Sequence, residues 1–220
     1  MALGVPFAFR LRNRFIKSVI IGLIIIALLW SASRTAMIGG GGGLLFGLLV
    51  HKIKLGRFTR SAIVCFLFML SIVPPFLGLS DGYGTGRGAI WRSSLDMYGR
   101  DQPFFGFGSG VYGSDPVLMQ EIGFVELGHS HNTFLTEMMR DGPIMAIAMM
   151  LVLCVCLVRA VRVDRYAPYI AAYAVVLAVR CAVEEVSPMR ILPWEGGCFI
   201  PLIMLLDTAV ELTPPRSRVC

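Results

Sequence analysis

Charge is what this sequence has least of: Asp, Glu, Lys and Arg together supply 15% of its 220 residues, against about a quarter in an ordinary globular chain. Hydrophobic residues supply 56% and the mean hydropathy is +0.73, so a water-soluble domain is excluded by composition and a bilayer is the expected solvent. Histidine is scarce, with three copies. Lysine is confined to Lys17, Lys52 and Lys54. The net charge of +6 does not indicate nucleic acid, because the basic residues form short clusters that flank apolar runs, as membrane borders do. Cysteine forms no framework: Cys65, Cys154 and Cys156 lie inside apolar runs, Cys220 is terminal, and only Cys181 and Cys198 are placed to share an oxidising compartment. No zinc-ligand spacing is present. A phosphate loop is missing too, since the run Gly39 to Gly43 continues into Leu44, Leu45 and Phe46 rather than Gly-Lys-Ser/Thr. Small residues at that density suit close approach of helix backbones in lipid.

What is there is a series of uncharged stretches: Ser18 to Ser33, Thr35 to Val50, Ser61 to Ser80, Gly142 to Val158, Tyr166 to Val179 and Gly196 to Leu206. They predict an all-α integral membrane protein of about six transmembrane helices. Several are shorter than the ~20 residues that cross ~30 Å of hydrocarbon, so flanking Lys and Arg must snorkel or the bilayer must thin. The chain divides into three spans over 1–80, a polar loop over 81–141 and the C-terminal spans over 142–220. With a cytoplasmic N-terminus, every Lys and most Arg fall inside, whereas Arg34, Arg87, Arg92, Arg100, Arg140, Arg180 and Arg190 fall outside. An outer face with Arg and no Lys suits phosphate recognition by the planar guanidinium fork. A second reading of the N-terminus is a signal peptide, with Met1 to Lys17 as basic region and Ser31-Ala32-Ser33 as cleavage site.

The outer loop carries most of the chemistry. Arg87 to Tyr98 reads as a short interfacial helix in which Trp91, Leu95 and Tyr98 share a face while Arg87, Arg92 and Asp96 project elsewhere. Phe104, Phe105 and Phe107, interleaved with Gly106, Gly108 and Gly110, read as a flexible aromatic turn near the headgroups. Gly128-His129-Ser130-His131-Asn132 then precedes Thr133 to Arg140, where Ser130 or Asn132 caps a helix that packs through Phe134, Leu135, Met138 and Met139. His131 at that helix start has three roles open to it. It caps the structure, it ligates a metal with Glu126 and Glu137 completing a set, or it acts as a general base, since a neutral imidazole near pH 7 suits removal of a hydroxyl proton. Arg34, after Ser31-Ala32-Ser33 at an outer turn, either snorkels or serves a site, because a charge at membrane depth is costly unless used.

In order and spacing, Ser31-Ala32-Ser33-Arg34, Arg87-Gly88-Ala89-Ile90-Trp91, Pro103-Phe104-Phe105-Gly106-Phe107-Gly108, and His129-Ser130-His131-Asn132 with Asp141-Gly142 resemble the O-antigen ligase and polysaccharide polymerase superfamily of bacterial inner membranes. The resemblance implies a helical membrane bundle with a large periplasmic loop. It also implies transfer of a glycan from an undecaprenyl diphosphate carrier to an acceptor hydroxyl, on lipid A core or a growing polysaccharide, without metal or cofactor. Arg34 and Arg87 would hold the diphosphate and His131 would deprotonate the acceptor, with Arg92, His129 and Asn132 contributing to substrate binding. The likeness covers only the C-terminal half of such proteins, so a partner supplying further helices is one expectation. A non-catalytic membrane subunit is the alternative of a different class.

Overall fold

The computed structural model describes residues 14–30, 34–84, 86–101, 103–113, 120, 129–162 and 167–183. Among the described residues every regular element is helical. The long helices are α1 (Arg14–Trp30), α2 (Arg34–Ile53), α3 (Arg57–Ile72), α4 (Arg87–Asp101), α5 (Thr133–Asp141), α6 (Pro143–Val161) and α7 (Ala167–Val183), with one-turn 3-10 helices at Pro74–Leu77 and Ser109–Tyr112. Five of the apolar stretches are therefore helices, and Gly196 to Leu206 lies outside the described residues. Among the described residues only α6 is both long and apolar enough to cross a bilayer; Met37–Ile53 and Pro168–Val183 are shorter apolar segments.

The third stretch, expected to run to Ser80, stops at Ile72. The reason is Pro74-Pro75: neither has an N–H, so the ladder ends and the chain tightens into a 3-10 turn that closes at Gly78 with φ 60°. One carbonyl left over is that of Ser71, whose helical donor would have been the missing N–H of Pro75.

The core gathers α2, α3, α5, α6 and α7 around Phe46, Phe68, Leu135, Met139, Leu157, Ile170 and Tyr173. The most extensive pairing is between α2 and α7, antiparallel and unusually close. Gly39, Gly43 and Gly47 recur every fourth residue on the α2 face that meets α7. A Cβ at Gly43 would sit 2.8 Å from the Ala172 carbonyl, and one at Gly47 2.9 Å from the Pro168 carbonyl. The glycine run thus packs helix backbones together, as small residues do in lipid. Gly43→Ala and Gly47→Ala should each lower the unfolding free energy by about 1–3 kcal/mol, the range for overpacking against backbone. Gly41→Ala, with nothing within 4 Å of the new Cβ, should leave the thermal midpoint in detergent unchanged or slightly raised. Equal effects at all three positions would refute the packing account.

On the other side of the bundle α3 and α6 also run antiparallel, with the sulfurs of Cys65 and Cys154 3.6 Å apart and the Arg162 Nε donating to Ser61 Oγ at 3.1 Å. The last helix of the polar segment, α5, is not a layer above the bundle. Thr133 to Arg140 are all buried, packed against α6, α7 and α3.

Candidate functional site

The site is built on the start of α5. Asn132 is the N-cap: its backbone is extended and its Oδ1 accepts the Leu135 N–H at 3.0 Å. The same side chain donates from Nδ2 to the Ser71 carbonyl at 3.0 Å and to the Ala182 carbonyl at 3.0 Å. The first of these is the carbonyl that Pro75 leaves without a helical donor, and the second belongs to the last turn of α7. One fully buried amide therefore ties the beginning of α5 to the ends of α3 and α7. Its polar atoms face protein, not solvent, which makes Asn132 an anchor for its neighbours.

Ser130 is equally enclosed. Its N–H donates to Thr136 Oγ1 at 3.1 Å, the two hydroxyls lie 2.8 Å apart, and its carbonyl accepts the Trp91 indole N–H at 2.8 Å. Trp91 thereby docks α4 on the peptide between the two histidines. A buried indole requires such an acceptor. Arg87 lies one turn before Trp91 and is half-buried, so it does not project away from the packed face as the sequence suggested. Gly88 lets this end of α4 close on the Ser80 backbone, where a Cβ would collide.

Between these anchors, His131 adopts a left-handed backbone with φ 58°. Such a conformation is uncommon for a residue with a Cβ and concentrates at functional sites. Its N–H donates to His129 Nδ1 at 3.0 Å, and the two rings meet edge to face with centroids 4.4 Å apart. Accepting at Nδ1 leaves a neutral His129 with its proton on Nε2.

The other expected site residues are distributed unevenly. The antiparallel register of α2 on α7, carried up from Gly39 opposite Val176 and Val179, sets the Arg34 backbone level with Val183, beside Ala182 and hence at the same end of the bundle as Asn132. The Arg34 side chain, Ser31 to Ser33 and Glu126 lie outside the described residues. Arg92 is turned elsewhere: it pairs with Asp81 at 3.0 Å and donates to the Leu79 carbonyl at 3.2 Å, both partners in the turn before α4. Arg100 is exposed near the far end of the same helix. Among the described residues no three His, Cys, Asp or Glu side chains cluster as metal ligands would. Thr136 is the site-building residue that sequence reasoning passed over, and the bond between Trp91 and Ser130, both noted in the sequence, was not foreseen.

A family model described as O-antigen ligase matches residues 19–148, more than half of the chain, a range that includes Arg34, Arg87, Trp91 and His129 to Asn132 but not α7. No curated protein and no solved structure matches the chain.

Proposed function

The chain belongs to the O-antigen ligase family, a family of bacterial inner-membrane proteins, and from that premise we propose that it transfers a glycan from an undecaprenyl diphosphate carrier to an acceptor hydroxyl at the periplasmic membrane face. The observation that carries the reading is His131: a strained imidazole at the cap of a buried helix, in contact with a second imidazole and immobilised on both sides by Ser130 and Asn132. A general base needs this fixity, because it must sit within hydrogen-bond reach of the proton it removes.

In this proposal the acceptor hydroxyl, on lipid A core or on a growing polysaccharide, gives its proton to His131 as its oxygen attacks the anomeric carbon. The bond to the carrier diphosphate breaks, and the charge developing on the leaving diphosphate is held by Arg87 and Arg34. Fixed guanidinium groups stabilise such charge without reorganising. Asn132 and His129 position the base, and the ion pair of Arg92 with Asp81 braces the turn before α4. No metal takes part in these steps.

Arg87→Lys and Arg34→Lys should each slow transfer by about 10²-fold or more, the scale for losing one preorganised contact to developing charge. The check is glycan transfer in proteoliposomes carrying the full chain, the lipid-linked glycan and the acceptor, in the presence of a chelator. Full activity of both variants would remove the guanidinium groups from the mechanism.

A further inference from the structure

The aromatic turn after α4 is locked, and the lock determines where its rings point. Pro103 to Gly106 closes on itself through the Gly106 N–H to the Pro103 carbonyl at 3.2 Å. The segment that follows is strapped along the end of α5: the Phe107 N–H donates to the Met139 carbonyl at 2.7 Å and the Gly108 N–H to the Arg140 carbonyl at 2.9 Å. Two glycines make the approach possible. Gly106 has φ 73° and faces the Arg140 carbonyl; Gly142 has φ 86° and faces the Phe104 carbonyl; a Cβ at either would collide with that backbone. Phe107 is drawn inward against the core. Phe104 and Phe105 are left pointing out, 58% and 82% exposed, their rings edge to face at 4.9 Å.

The position of this two-ring knuckle is set by Gly142, because the next residue, Pro143, begins α6, the helix able to cross a bilayer. From that point downward α6 presents Ile144, Ile147 and Leu151 outward, so the exposed rings continue the apolar surface of a membrane span at its upper end. A polypeptide with this arrangement places the rings at the boundary between headgroups and acyl chains, where an apolar ring leaves water while its backbone stays at the polar surface.

We propose that Phe104 and Phe105 form a rigid bilayer-docking knuckle, seated in the headgroup–acyl boundary beside the top of α6. The partner is the lipid surface itself, and the inference requires only that α6 spans a membrane; it is independent of the role given to His131. The knuckle differs from a loose aromatic anchor because its backbone is bonded to the helix that carries the site, which fixes the height of α5 above the hydrocarbon.

A nitroxide attached at Phe105→Cys, in the full chain with its native cysteines replaced and reconstituted in phosphatidylethanolamine–phosphatidylglycerol vesicles, reports the depth. Its ratio of collisions with oxygen to collisions with a water-soluble nickel chelate should lie between those of labels at Asp101→Cys and Leu151→Cys, shifted toward the latter. In the chain with native cysteines, Phe105→Trp should add emission over the wild-type protein that lipids brominated near the headgroup quench. Nickel access equal to that at position 101, with no quenching of the added emission, would put the rings in water and overturn the proposal. Exclusion of both colliders would put them against protein, a second copy or another segment of this chain, and would overturn it as well.

Discussion

His131→Asn is expected to lower glycan transfer by roughly 10²- to 10⁴-fold, the span for removing a general acid–base group, while the protein still folds. Asparagine is the informative replacement because it tolerates the left-handed backbone that His131 occupies at φ 58°, so lost activity cannot be assigned to backbone strain. His129→Ala removes the Nδ1 acceptor of the His131 N–H and the ring that rests against it, and should cost less than the loss of His131 itself. Initial rates for both variants in the proteoliposome assay, with chelator present, give the comparison. Near-normal turnover by His131→Asn, or inhibition of the unaltered protein by the chelator, would end the general-base assignment.

Asn132→Ala should be strongly destabilising for a change of one polar side chain. It removes an N-cap, about 1 kcal/mol, strips the donor from the buried Ser71 carbonyl at ~1–3 kcal/mol, and takes a further donor from the half-buried Ala182 carbonyl, for a loss of roughly 3 kcal/mol. Asn132→Asp separates the two parts. The carboxylate still caps α5, but it turns oxygen lone pairs and a negative charge on the carbonyls of Ser71 and Ala182, so it should be no better tolerated than alanine. Thermal unfolding of the purified variants in detergent measures both. If either variant unfolds within about 0.5 kcal/mol of the unaltered protein, as surface changes do, the three-helix tie carries no load.

How far the sequence could be read depended on the distance over which each feature is decided. Helix α6 and the Asn132 cap are local: an uncharged run behind Gly142-Pro143, and an amide immediately before Thr133. The all-helical class and the family follow from such local pieces and their order. The overrun of the third apolar stretch came from counting hydropathy across Pro74-Pro75, where the missing donors outweigh the apolar side chains. Everything that turns these pieces into a site is long-range. The Trp91 bond to Ser130 joins α4 to the turn before α5, and the second acceptor of Asn132 lies on α7. Neither leaves a trace in periodicity. Arg92 shows the same limit from the other direction, since its bond to Asp81 is settled by a turn geometry that helix phase alone does not contain.

The glycine face of α2 also sets an order of events during synthesis. Its partner α7 begins at Ala167, so α2 is made and inserted well before the backbone it is shaped to meet exists. At the ~5–20 residues per second of a ribosome, the interval is roughly 6 to 25 s. Throughout that time the stripe of Gly39, Gly43 and Gly47 is without its partner, and no earlier helix of the described chain can complete the most extensive pairing in the fold. The part of the core around Tyr173 and Ile170 therefore cannot close until α7 has been made. A nascent chain arrested before residue 167 should remain open to membrane proteases, whereas one extended beyond residue 183 can lock α2 to α7.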